Sequence, residues 1–268
     1  MRILSLNAWG GRVHQPLLKY LAAIDADVLC LQEVVRTPGQ PHGWLTYRHG
    51  DLCLPQRTNL YDEIRAVLPE HQPWFFPTAR GILHDDHGRE IWSEFGLATF
   101  VRGTYAVIGE ALGFVHGAFS PDGWGGHPRS RNAHCIRLFD PDGGVFLTVA
   151  HMHGLRDPAG KGDTPAREKQ ADRLAELIGR VWPGDERLVV CGDFNVLPES
   201  VTFSRLAALG LSDLVVGRGH TDTRTSLYEK AGRFADYMLV NDRVEVASFD
   251  VVADPEVSDH RPLLLGVR

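Results

Sequence analysis

The chain has 268 residues, 43% of them apolar, enough to bury a substantial core and near the upper end of what one domain spans. Lys and Arg number 28 against 34 Asp and Glu, a formal charge of −6, so no overall basic field recruits nucleic acid and an anionic ligand must be held locally. Met1-Arg2 leads straight into Ile3-Leu4-Ser5-Leu6 without the marks of a signal peptide, and no apolar run is long enough for a transmembrane segment, so a cytoplasmic protein is expected.

In chain order, Arg2 to Leu6 reads as a strand, Leu17 to Ile24 as a helix and Val28 to Leu31 as a second strand, a βαβ opening. A helix at Leu60 to Leu68 follows, then strands at Leu97 to Val101, Tyr105 to Ile108, Ala133 to Phe139 and Val145 to Ala150. Thr164-Pro165 caps a long helix running to Val181, and Pro183-Gly184 ends it. Beyond it come a strand at Leu188 to Cys191, a helix at Thr202 to Leu209, and strands at Phe234 to Val240, Val246 to Val252 and Leu263 to Val267. This pattern predicts an α/β fold of two packed sheets with outer helices, not a single barrel or a Rossmann sheet. No repeat or linker divides the chain, so residues 1–268 are expected to form one domain, and no protein partner is evident. Cys30, Cys53, Cys135 and Cys191 are far apart and are expected to be reduced and structural.

Two loops stand out. His84-Asp85-Asp86-His87 looks like a metal cluster, but the flanking Gly81 and Gly88 favour a solvated hairpin tip. Phe114 to Asn132 is long, rich in Gly, Pro, Trp and His, and ends Arg129-Ser130-Arg131-Asn132; a loop of that length inside a compact domain tends to carry function.

Chemistry concentrates where apolar runs stop. Gly192-Asp193-Phe194-Asn195 follows Leu188 to Cys191, and a carboxylate with a carboxamide two residues on suits orienting a water and binding a phosphoryl oxygen. Asn7 and Glu33 likewise follow apolar strands, and a carboxylate with Asn and waters is what a hydrated Mg²⁺ accepts. His151-Met152-His153 ends the run from Val145, with both imidazoles on one side of the strand. Asp259-His260 precedes the last strand, and His260 needs an acid partner, for which Asp193 and Asp236 are available. Taken singly, these groups also read as turn residues, caps or satisfied structural histidines.

Together they resemble the endonuclease/exonuclease/phosphatase superfamily, whose elements occur here in family order: Asn7, Gln32-Glu33, His153, Gly192 to Asn195, Asp236-Tyr237 and Ser258-Asp259-His260. The resemblance implies a four-layer α/β sandwich, two packed mixed β-sheets flanked by helices, and a metal-dependent phosphoesterase. It implies Glu33 as main ligand of Mg²⁺, with Mn²⁺ an alternative, and Asn7 and Asp259 near the ion. Asp193 is then expected to orient or deprotonate the attacking water, Asn195 and His153 to hold phosphoryl oxygens, His260 to act as base or phosphate contact, and Asp236 to complete the acidic cluster. The implied partner is a phosphate-ester substrate, either nucleic acid or a small molecule.

Departures bear on specificity. Many members carry Asn where this chain has His151, and the basic, intercalating loops of AP endonucleases have no recognisable counterpart. Trp124, Arg129 and Arg131 are candidates, with His151, for contacting substrate, while Arg156, Lys161 and Arg167 form either an anion site or a solvated helix start. Rival readings are a binding module of the same fold without catalysis, and a zinc amidohydrolase built on His151 and His153.

Overall fold

The alternation in the first strand shows how one sheet serves two cores. The computed structural model describes residues 1–268, and in β1 (Arg2–Asn7) Ile3 faces the core between two sheets while Leu4 and Leu6 face outward. The outward residues pack with Leu17 and Leu21 of α1 (His14–Ala23) and Leu60 and Ile64 of α2 (Leu60–Val67). In β2 (Val28–Arg36), Val28 and Cys30 point to the inter-sheet core and Leu29 and Leu31 to the helices. With both faces covered, these strands read as unbroken apolar runs.

The remaining elements are β3 (Trp44–His49), β4 (Leu52–Arg57), β5 (His71–His84), β6 (Glu90–Arg102), β7 (Ala106–His116), β8 (Arg131–Asp140), β9 (Val145–His153) and α3 (Pro165–Gly179). They continue with β10 (Arg187–Asp193), α4 (Val201–Ala207), β11 (Ser212–Asp213), α5 (Leu214–Gly217), β12 (Asp236–Val240), β13 (Val246–Val251) and β14 (Leu263–Val267). One sheet has the order β13-β14-β1-β2-β6-β5-β3-β4, the other β11-β12-β10-β9-β8-β7. Leu174, Leu177 and Ile178 of α3 cover the second sheet, completing an α/β/β/α sandwich, the expected four layers. Thr164 caps α3, its side chain accepting from the Arg167 N–H, with Pro165 in the first turn as the sequence predicts. No helix is long and apolar enough to cross a membrane. All four cysteines are free thiols, three of them buried.

The sequence reading misses the β3–β4 hairpin and β5 and shortens β6, and places a loop over residues 114–132 that the structure trims at both ends. Phe114 pairs with Asn132 and His116 with Arg131, so the β7–β8 ladder absorbs those residues and only 117–130 are left to connect them. The segment from Asp85 to Arg89 is the hairpin tip between β5 and β6, closed by Asp85 accepting from the N–H groups of His87 and Arg89.

Candidate active site

Asn7 and Asp193, each the last residue of its strand, join the two sheets: Asn7 Nδ2 donates to Asp193 Oδ2 at 3.0 Å. Asp193 stands in register with His153 on one side and with Asp236 on the other, so three neighbouring strands deliver a transverse row of functional groups. His153 Nε2 lies 3.8 Å from Asp193 Oδ2 and 3.8 Å from Glu33 Oε1. Asp193, Asp236 and His260 bring ligand atoms within 4.8 Å of one another.

Two backbone devices aim these side chains. The β2–β6 register shifts between Leu31 and Val34, and both of those side chains enter the helix-facing core, so Glu33 is the extra residue of a bulge. Its φ of 55° turns the carboxylate toward His153. The second device is close approach: a Cβ on Gly192 would stand 2.1 Å from the Met152 carbonyl oxygen, and one on Gly154 would stand 2.2 Å from that of Phe194. Glycine at both places lets His153 at the end of β9 stand beside Asp193 at the end of β10 and Asn195 just beyond it. Asn195, also left-handed at φ 55°, donates its N–H to Asp193 Oδ1 at 3.0 Å and its amide to the Gly154 carbonyl at 3.3 Å.

His260 finds its acid in Asp236, whose two carboxylate oxygens lie 2.9 and 2.8 Å from Nδ1. Ser258 ties that loop to β1, its hydroxyl donating to the Asn7 carbonyl at 2.7 Å and accepting from the His260 N–H at 3.2 Å. The imidazole Nε2 is 3.7 Å from Asp193 Oδ2. Sequence reasoning missed Arg224, which is buried here: its Nη1 donates to Asp259 Oδ2 at 3.1 Å and also meets His260 Nε2. No local pattern marks it, since it sits in an irregular segment 35 residues from Asp259.

The electrostatics separate the acids. Burial resists charge on Asp193, but His260, His153 and Arg224, with the Asn7 amide, bring its pKa down to about 2. Burial raises Asp236 despite the adjacent His260. Burial also raises Asp259, with help from Glu33 and Asp193 and against His260 and Arg224. His260 is opposed by burial, which Asp236 outweighs with help from Asp193, lifting its pKa above the ordinary imidazole value. Burial first, and then Arg131, lowers the pKa of His153.

Other expected residues fall elsewhere. His151 is only 1% exposed, and its Nε2 meets the Thr99 hydroxyl at 2.8 Å, so the structure sets it inside the inter-sheet core and not on a substrate. That placement also removes the paired-histidine zinc site. Arg167 is a tie for the chain, donating to the carbonyls of Leu155, Gly160 and Asn195, and Lys161 donates to that of Gly232, so neither forms an anion site. Trp124, Arg129 and Arg131 do gather, lining with Arg156 a pocket of about 330 Å³ that reaches Glu33.

The model of the Endonuclease/Exonuclease/phosphatase family matches residues 4–260. Among solved structures, an endonuclease/exonuclease/phosphatase from Bacteroides vulgatus superposes with a TM-score of 0.67 at 18% identity, covering 100% of this chain and 98% of its own. A mannosyl-6-phosphatase of Bacteroides thetaiotaomicron gives 0.66 at 17% identity with 100% and 99% coverage. The catalytic domain of human Nocturnin, with bound sulfate, gives 0.64 at 19% identity with 100% and 93% coverage. A search of curated proteins finds no match.

Proposed function

Because the chain belongs to the endonuclease/exonuclease/phosphatase family, we propose that it hydrolyses a phosphate ester by water attack with a divalent ion, Mg²⁺ before Mn²⁺. The carrying observation is the row His153, Asp193, Asp236 on adjacent strands, with the Asp236–His260 pair folded back onto Asp193.

The donor chemistry fits a hard cation. Glu33 disfavours charge on Asp259, and a bound cation would relieve that repulsion. Glu33, Asp259 and Asn7 would hold the ion. When bound, Mg²⁺ neutralises the phosphate and the departing oxygen. Asp193, with its depressed pKa, is a weak base and orients the water. His260, fixed by Asp236 with the proton on Nδ1, presents Nε2 to receive the water proton as the new P–O bond forms and the ester P–O bond breaks. His153 and Asn195 steady the phosphoryl oxygens, Asn195 through the amide N–H not spent on Gly154. Arg224 adds a fixed positive charge at the same place.

A small phosphoester suits the acidic chain better than a polynucleotide, and the fold is shared with a protein named as a mannosyl-6-phosphatase. The test is hydrolysis of bis-p-nitrophenyl phosphate and p-nitrophenyl phosphate with Mg²⁺, Mn²⁺ or Zn²⁺, comparing wild type with Glu33→Ala and Asp193→Asn. Metal-dependent turnover lost in both variants is expected, and the preferred ester identifies a diesterase or monoesterase. Turnover that survives both substitutions or ignores chelation overturns the assignment.

A further inference from the structure

The pocket beside Glu33 gathers three arginines and an aromatic cluster. Several arginines of this acidic chain meet carboxylates, as Arg57 does Glu63, Arg102 does Asp27 and Arg137 does Glu186. Arg129, Arg131 and Arg156 line the pocket and form no ion pair. Arg131 is buried and gives Nε to the Gly154 carbonyl and Nη1 to that of Ser130. Arg129 bonds the Tyr47 hydroxyl through Nη2 at 2.5 Å, while its buried Nε has no acceptor in the protein. The cluster is felt nearby: burial first, then Arg129, Arg156 and Arg131, holds His127 below its usual pKa.

An aromatic chain runs from these arginines toward the candidate catalytic groups. Arg129 lies over the Tyr47 ring at 5.3 Å, Tyr47 meets Trp124 edge-on at 6.0 Å, Trp124 meets Phe95 at 6.4 Å, and Phe95 meets His153 at 6.4 Å. Trp124 is locked by donating to the Ile82 carbonyl at 3.0 Å and by covering Gly81, where a Cβ would strike its ring at 2.4 Å. A volume of about 330 Å³ holds one compact ligand, not a length of polymer.

We propose that this pocket takes a ring bearing a second anionic group, so that the molecule presenting its phosphate to Glu33 and His153 is a compact bisphosphate. This rests on the phosphoesterase reading only for the fate of the first phosphate; the second is held whether or not it is cleaved. The shared chemistry is a second phosphate on a ring, supplied by a nucleoside or by a sugar.

The experiment is calorimetric binding to the full chain in EDTA, so that binding is read apart from metal-dependent turnover, with adenosine 3′,5′-bisphosphate against AMP, fructose 1,6-bisphosphate against fructose 6-phosphate, and a thymidine oligonucleotide. At least one bisphosphate is expected to bind roughly tenfold or more tightly than its monophosphate, the tighter arm naming the ring. Arg156→Ala, at an exposed side chain, and Arg129→Ala should each erase most of that preference. Equal affinities for mono- and bisphosphates, a preference untouched in both variants, or tighter binding of the oligonucleotide overturns the pocket assignment. If p-nitrophenyl esters turn over while affinities are equal, only the pocket assignment falls. Bisphosphate preference without turnover of any ester upholds the pocket and counts against hydrolysis alone.

Discussion

Asp236→Asn separates the proposed chemistry from the fold. Both carboxylate oxygens of Asp236 lie within 2.9 Å of His260 Nδ1, so an amide in the same rotamer leaves that nitrogen one neutral acceptor in place of a charged pair of oxygens. The carboxylate charge that favours the imidazolium is then gone, and His260 loses the basicity with which Nε2 accepts the water proton. Losing a positioned general base costs about 10² to 10⁴ in rate, or about 2.7–5.4 kcal/mol on the barrier at 1.36 kcal/mol per decade. Stability should not follow, because burial already disfavours the charged Asp236 carboxylate and raises its pKa. Wild-type kcat should rise with pH as His260 loses its proton above the ordinary imidazole range, and in the variant that limb should move to lower pH because the group lifting His260 is gone. Steady-state kinetics from pH 5 to 9 on the best ester, with thermal melts of both proteins, are the assay. A kcat within about threefold of wild type in a folded variant refutes the role, as does a rate loss matched by loss of folded protein.

The Thr99 hydroxyl lies 2.8 Å from His134 Nδ1 and 2.8 Å from His151 Nε2, bridging the two sheets. Thr99→Val keeps the shape but strands two buried ring nitrogens, so Tm should fall by about 4–8 °C, from about 2–4 kcal/mol; an unchanged melt removes the bridge from the stability account. Burial pulls His134 from 6.5 to about 3, so the fold favours its neutral form. The resulting stability is complete above pH 6.5 and is lost as pH falls from there toward 3, about 3 kcal/mol by pH 4.5. His151 shifts in the same direction, and urea denaturation at pH 7.5, 5.5 and 4.5 should show the slope, whereas a flat profile would mean these rings are hydrated.

The ends of the core strands were legible because each candidate group follows a run whose residues are apolar on both faces, as Asn7 follows Ile3 to Leu6. β5 was not, because Pro73, Pro77 and Gly81 punctuate it as a loop. Those residues are tolerated there: β5 pairs along its length with β6, but its other edge is bonded only at Thr78 to Arg80, by Ser120 and Gly123, and at His84, by Thr46, so Pro73 and Pro77 interrupt no ladder on that edge. Arg224 and the partition between His151 and His153 were illegible for another reason. The strand period gives both imidazoles one face, but only the tertiary arrangement places one against Thr99 in the core and the other beside Asp193.

Glu33 and Asn195 both hold a left-handed backbone that glycine would adopt at lower cost. Glu33→Gly therefore relaxes the β2 bulge, and the chain has a stabilising route open to it at a residue its proposed chemistry needs. Selection for heat tolerance alone would erode this cleft early, whereas selection for turnover must keep renewing the strain.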